Sequence, residues 1–232
     1  MTTLLRCCLM GTDTGVGKSR VLELLTAGLR ALGRRVWLYK PVACGDWRDG
    51  QAEDGRRLAP LVGDGQEPAS ACPHQWPEAC SPHLAAALTG DRLTLAELLD
   101  EYRQLATTTA DLLVEGAGGI RAPLTSDDGD IVAFATATGL PAVLVTRPHL
   151  GTLNHTRLSV EVLQQAGIRV LGLVINTHEA IPSCHATDTA ADELQRLTGL
   201  PILATLPFQA DSTVAEPLAS AVLRQACAAS TR

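Results

Sequence analysis

No run in this chain approaches the ~18 uninterrupted apolar residues of a membrane span, although hydrophobic residues make up 46% of it. It has no basic tract or arginine-rich arm, and its net charge is −6, a balance that points away from nucleic acid and toward small metabolites as partners. The opening MTTLLRCCLM is too short for a signal peptide, so a cytoplasmic protein is expected. The 7 cysteines include no CxxC pair; an odd set without that spacing suits reduced thiols better than a disulfide framework. Internal repeats and low-complexity tracts are also missing. What is left is a chain of 232 residues, long enough for one α/β domain over 1–232 with a sheet buried between two helical layers.

Apolar runs, most of them rich in β-branched residues, recur at Leu4 to Met10, Val36 to Tyr39, Leu112 to Val114, Ala142 to Thr146, Val170 to Ile175 and Ile202 to Ala204. Helical patterns separate most of them, the first over Gly17 to Leu32. This alternation predicts right-handed βαβ units: an α/β fold in three layers, with a mostly parallel central sheet and helices on both faces. Turn signals at Leu32-Gly33, Gly139-Leu140-Pro141, Ala166-Gly167 and Gly199-Leu200-Pro201 mark the joints. The segment Gly45 to Pro82, rich in Gly, Pro, Asp and Glu, breaks the rhythm and is expected to hold only a short helical piece around Glu53 to Leu61. A connection of that length inside a compact domain is usually functional. A closing helix is expected over Thr213 to Ala229, with the last residues frayed.

After the first apolar run comes Gly11-Thr12-Asp13-Thr14-Gly15-Val16-Gly17-Lys18-Ser19. A strand that ends in a glycine-rich loop and feeds a helix aims backbone N–H groups and the positive helix end at one point, where an anion belongs. Lys18 is expected to reach the β- and γ-phosphates of a bound triphosphate, and the Ser19 hydroxyl to take one position on Mg2+. The standard string GxxxxGK[ST] wants glycine where this chain has Thr12, and Gly11 stands one residue further back. This longer loop belongs with the metabolic and partitioning branch of P-loop ATPases.

Ligands of open parallel sheets gather at the carboxyl ends of the strands. There the second run delivers Lys40-Pro41-Val42, a lysine able to neutralise charge that develops in phosphoryl transfer. The third run ends in Glu115-Gly116-Ala117-Gly118-Gly119. Its acid is suited to hold Mg2+ opposite Ser19, and its glycines serve as a tight turn, as close backbone approach to a second ligand, or as both. Asp54 is a second acidic candidate for the metal, with Glu53 equally eligible by position. Gly151-Thr152-Leu153-Asn154-His155 enters a helix whose N–H groups fit a carboxylate or serve simple capping. Asn176 is able to donate and accept on an adenine edge. His149, His155 and His178 are expected to be surface or hydrogen-bonded residues, since no nucleophile is paired with them.

Taken together, GTDTGVGKS, YKPVACG, Asp54, Ser81-Pro82-His83, VEGAGGIRAPL, LGTLNHT and Gly172-Leu173-Val174-Ile175-Asn176 resemble the dethiobiotin synthetase family over most of the chain. The resemblance implies an ATP- and Mg2+-dependent cyclo-ligase of biotin biosynthesis. In this reaction 7,8-diaminononanoate and CO2 form a carbamate, the carbamate is phosphorylated by ATP, and the second amine closes the ring. It implies that Lys18, Lys40 and Thr14 act on the phosphates and carbamate, and that Ser19, Asp54 and Glu115 hold Mg2+. Gly118 and Cys44 would line the diamine site; Cys44 stands where serine or threonine is common. Asn176 and Pro207 would meet the base. Thr152, Leu153 and Asn154 would hold the substrate carboxylate from a neighbouring subunit, so a homodimer is expected. Two other readings remain. A cobyrinate-type amide synthetase would carry a glutaminase domain, for which this chain is too short. A partitioning-type switch ATPase would carry a signature lysine where Asp13 stands.

Overall fold

The computed structural model describes residues 3–180 and 184–228. Six strands form one parallel sheet: β1 (Arg6–Gly11), β2 (Val36–Tyr39), β5 (Asp111–Glu115), β6 (Ala142–Thr146), β7 (Val170–Asn176) and β8 (Ile202–Leu206), in the order β2-β5-β1-β6-β7-β8. Two short strands, β3 (Val42–Cys44) and β4 (His74–Trp76), pair in parallel beside it. The six long strands coincide with the six apolar runs to within a residue or two. The pair β3 and β4 was not legible, because three residues such as His-Gln-Trp carry neither alternation nor a β-branched run.

The strands are apolar on both sides because both sides are covered. In β1, Cys8 and Met10 face one core with Leu112, Val114 and Leu144, while Cys7 and Leu9 face the other with Leu113, Val143 and Val145. This is the two-residue period of a strand read out in space. The first core is closed by α4 (Pro82–Thr89), α5 (Leu95–Leu105), α6 (Ile131–Thr138), α7 (Thr152–Gln165) and α9 (Ala190–Thr198). The second is closed by α1 (Lys18–Ala31) and α10 (Ala215–Cys227). Helix α1 buries Val21, Leu22, Leu25 and Leu29 on one stripe; each such side chain contributes about 1.5–3 kcal/mol on removal from water. It ends because Gly33 turns left-handed at φ 75°, where other residues are strained. Helix α5 starts at a reciprocal cap between Thr94 and Glu97.

The connection from Gly45 to Pro82 holds more than one helical piece. Helix α2 (Glu53–Leu58) with its 3-10 extension Ala59–Leu61 falls at the expected place, but α3 (Pro68–Ala71) and β4 follow it. The closing helix runs over Ala215–Cys227 after a 3-10 turn, Ser212–Val214; Ala229 and the last residues lie outside the described residues. A further short helix, α8 (His185–Asp188), precedes α9. Among the described residues no helix is long and apolar enough to cross a membrane.

Candidate active site

The glycine-rich loop lies between the end of β1 and the start of α1, at the carboxyl edge of the sheet between β5 and β6. Gly17 is the N-cap of α1 at φ 89°, and a Cβ there would lie 2.1 Å from the Asn176 amide nitrogen. Only glycine fits. The Asn176 Nδ2 donates to the Val16 carbonyl at 3.0 Å, so the tip of β7 holds the loop in shape. On its other flank the Thr12 N–H donates to the Val145 carbonyl at 3.0 Å and the Thr12 hydroxyl to Thr146 at 3.3 Å. Asp13 accepts the Thr14 N–H at 2.7 Å. Lys18 folds over this cradle, donating to the carbonyls of Gly118 at 2.7 Å and Asp13 at 3.2 Å. Burial pulls the Lys18 ammonium down to about 8, against the opposing pull of Glu115. A lysine so placed gains from an anion beside it, since the anion restores the charged form.

Next to it sits a second, tighter cluster. Lys40 follows β2, with its N–H on the Ala71 carbonyl at 2.7 Å, and its ammonium lies 2.8 Å from Glu115 Oε1 and 2.6 Å from Asp54 Oδ2. Burial alone would lower its pKa, but Glu115 and then Asp54 outweigh it and hold the ammonium above the usual lysine range. Burial likewise raises Asp54, and Lys40 outweighs that effect to leave the carboxyl below its ordinary value. The Ser19 hydroxyl lies 2.7 Å from Glu115 Oε1 and 3.2 Å from Asp54 Oδ1. Glu115 Oε2 is buried with no hydrogen-bond partner among the described residues. Three hard oxygen donors thus converge on one point, and one of them has a spare lone pair; such a set suits Mg2+, which takes one or two carboxylates plus phosphate oxygens.

Glu53 and Asp54 both line the cleft, and Asp54 is the one that reaches Ser19 and Lys40. Gln75 of β4 accepts the Ala52 N–H at 3.0 Å through Oε1 and donates to the Cys72 carbonyl at 2.9 Å. A Cβ on Gly55 would meet Gln75 Oε1 at 2.1 Å, so α2 sits directly on that amide. This seat turns Asp54 toward Ser19 and Lys40. Gln75 was missed from sequence; its one trace was Gly55 inside a helical pattern, which often marks close packing.

These groups line one cleft of about 920 Å³, within the range of small-molecule and cofactor sites. Thr14, Gly15, Lys18, Ser19, Asp54, Glu115, Cys44, Gly118, Asn176 and Pro207 are all among its lining residues. Burial, then neighbouring Cys80, pushes the Cys44 thiol up to about 12, so it meets the cleft as a neutral group. Arg20 and Phe208 also line the cleft and were not read from sequence. Thr152, Leu153 and Asn154 do not line it. They open α7 behind the left-handed N-cap Gly151, with the Thr152 hydroxyl 2.9 Å from Thr146 and Leu150 beside them 92% exposed. His149 and His178 are partly exposed, as expected, but one nitrogen of each ring, His149 Nε2 and His178 Nδ1, is buried with no hydrogen-bond partner among the described residues.

A parallel sheet that presents a glycine loop, its lysine and hydroxyl, and an acid at the next strand end defines a nucleotide-dependent P-loop protein. A family model described as an AAA domain matches residues 6–216. The chain is 39% identical over 204 residues to an ATP-dependent dethiobiotin synthetase BioD of Anaeromyxobacter dehalogenans (strain 2CP-C), covering 87% of this chain and 89% of the relative. It is 34% identical over 213 residues to the synthetase of that name from Bacillus cereus (strain G9842), covering 90% and 86%. Among solved structures, a ParA family ATPase from Chlorobium tepidum superposes with a TM-score of 0.52 at 11% identity, covering 98% of this chain and 99% of that one. The MinC:MinD complex of Aquifex aeolicus does so at 0.54 and 10%, covering 98% and 96%. Those two likenesses show the shared three-layer fold.

The chain belongs to the ATP-dependent dethiobiotin synthetase family. It is an enzyme, a nucleotide-dependent ligase of the P-loop class.

Proposed function

We propose that this protein closes 7,8-diaminononanoate and CO2 into dethiobiotin at the expense of ATP, with Mg2+, as one domain over 1–232 in the cytoplasm. The observation that carries the reading is the cluster of Lys40, Glu115, Asp54 and Ser19 beside Lys18. Two lysines and a set of oxygen donors neutralise charge, and no histidine is poised as a general base there. Carbamate phosphorylation asks for that balance, because its difficulty lies in bringing anions together.

One diamine nitrogen adds to CO2 and loses a proton to give the carbamate. A carbamate oxygen attacks the γ-phosphorus of ATP and ADP leaves. The second nitrogen then attacks the carbamate carbon, the C–O bond to phosphate breaks, and phosphate and protons are released. Lys18 and Thr14 hold the γ-phosphoryl, and Lys40 neutralises charge between it and the carbamate. Ser19, Asp54 and Glu115 would hold Mg2+, which when bound would supply charge neutralisation for phosphoryl transfer. The backbone of Gly11 through Gly17 receives the phosphates. Cys44 and Gly118 border the diamine, and Asn176 and Pro207 border the base. Because Thr152, Leu153 and Asn154 lie outside the cleft of their own chain, they support a homodimer in which each α7 start receives the substrate carboxylate of its neighbour.

The test supplies ATP, Mg2+, bicarbonate and 7,8-diaminononanoate and follows ADP together with the ring product by mass spectrometry. Stoichiometric, diamine-dependent formation of both is expected. ADP release indifferent to the diamine would return the chain to the switch-ATPase reading.

A further inference from the structure

His149, His178 and Glu179 are drawn together from two strand ends, the β6–α7 connection and the segment after β7. One ligand atom from each lies within 4.8 Å of the others. His149 Nε2 and His178 Nε2 are each 3.6 Å from the same oxygen, Glu179 Oε1. The imidazole rings stand 5.6 Å apart at 41°.

These distances are too long for hydrogen bonds. They are close to the ~3.4 Å that separates two donors each about 2.1 Å from a tetrahedral ion. Each imidazole thus stands from Glu179 at the spacing of two ligands on one ion, and the three ligand atoms close a triangle with no edge above 4.8 Å. Burial sharpens this reading. His149 Nε2 and His178 Nδ1 are both shielded from water and, among the described residues, have no hydrogen-bond partner, an arrangement that costs stability unless a ligand satisfies it. An ion at the centre satisfies His149 Nε2 directly, and His178 faces it through Nε2, the nitrogen 3.6 Å from Glu179 Oε1.

We propose that His149, His178 and Glu179 form a second cation site, specific for a borderline divalent transition ion such as Zn2+, Co2+ or Ni2+. Two imidazoles and one carboxylate select these ions over Mg2+, which prefers oxygen. Three protein ligands leave an open position for water or another ligand. His178 lines the nucleotide cleft two residues after Asn176, and His149 precedes the start of α7. A bound ion ties that part of the cleft lining to the turn that carries Thr152 to Asn154.

The test is a titration of the full protein with Co2+ under saturating Mg2+, in a Cys184→Ser/Cys227→Ser background that removes the two exposed thiols. An oxygen-only octahedral site absorbs weakly in the visible, whereas four- or five-coordinate Co2+ with imidazole ligands absorbs strongly. One equivalent of the strong band is expected, displaced by one equivalent of Zn2+. Zn2+ affinity, read by competition with a chromophoric chelator, should fall at least about tenfold in His149→Ala and in His178→Ala, since even groups that only support a ligand commonly cost that much. Glu179→Gln, at a more exposed position, gives a third variant that leaves the fold untouched. The metal-free melting curve of Glu179→Gln should coincide with the parent's. Absence of the band, or a band and affinity unchanged in all three variants, overturns the proposal, as does a band that survives them and is lost with Cys44 and Cys80.

Discussion

Lys40→Met tests the centre of the site because it removes one charge from a buried group of three. The Lys40 side chain is 3% exposed and Glu115 0%, and the two lie 2.8 Å apart. Removing one partner of such a pair leaves an uncompensated buried charge, which costs about 3–5 kcal/mol. At roughly 2–4 °C per kcal/mol for a chain of this size, the melting temperature should fall by about 6–20 °C. The double variant Lys40→Met/Glu115→Gln should recover much of that loss, since the fully buried carboxylate is then neutral and the charge left is that of the partly exposed Asp54. The pH dependence has a definite sign. Lys40 is held above the ordinary lysine range in the folded protein, so its contribution is complete below about 10.4, its unfolded value, and is lost as pH rises through the folded value. The gap between parent and variant should therefore be constant through neutral pH and close only under strong alkali. Turnover should fall by at least about a hundredfold, the size of one lost transition-state charge contact, with ATP affinity near normal. Urea and thermal unfolding with single-turnover ADP formation measure all of this. If Lys40→Met melted within about a degree of the parent, with the double variant no better, the buried pair would not carry the energy assigned to it.

Lys18→Ala should abolish nucleotide binding in a fluorescent-ATP titration, and retained tight binding would count against the phosphate-loop assignment. Because burial lowers Lys18 to about 8 in the free protein, ATP binding should take up a proton near that pH. Above it the dissociation constant should rise by up to about tenfold per pH unit; calorimetry in buffers of different ionisation enthalpy detects the proton, and affinity flat to pH 10 refutes the coupling. Gly17→Ala should weaken nucleotide binding strongly, since its Cβ would stand 2.1 Å from Asn176 Nδ2 at a φ of 89°. Adding Asn176→Ala should relieve the clash but not the backbone strain, and full recovery by the pair would argue that strain is negligible there. Gln75→Leu should unseat α2 and raise the Mg2+ requirement of turnover through Asp54 while leaving ATP-analogue binding without metal unchanged; an unaltered Mg2+ dependence would detach Gln75 from the site.

Much of this protein is written in short stretches of chain. The six strands of the main sheet are legible because a sheet covered on both faces needs near-continuous apolar runs, and the joints because Gly33, Gly139, Gly167 and Gly199 all adopt positive φ. The phosphate loop is legible because its function depends on local backbone, which Gly17 and its neighbours encode directly. Lys40 and Glu115 are legible as strand-end residues, since ligands of a parallel sheet gather at that edge.

What only the tertiary structure decided are relations between residues distant in the chain. Position alone leaves Asp54 level with Glu53; the placement of Asp54 beside Ser19 and Lys40 goes with Gln75, in a strand too short to announce itself, which packs on α2 at Gly55. One N–H of the Asn176 amide is given to the Val16 carbonyl, which ties β7 to the loop. Thr152, Leu153 and Asn154 fall outside their own cleft, and His149 meets His178 and Glu179 across two strand ends. Local pattern records what a residue is able to do, through propensity and period. Which partner it meets depends on how helices and sheet close around two cores, and that closure is set by long-range packing that no short window of sequence contains.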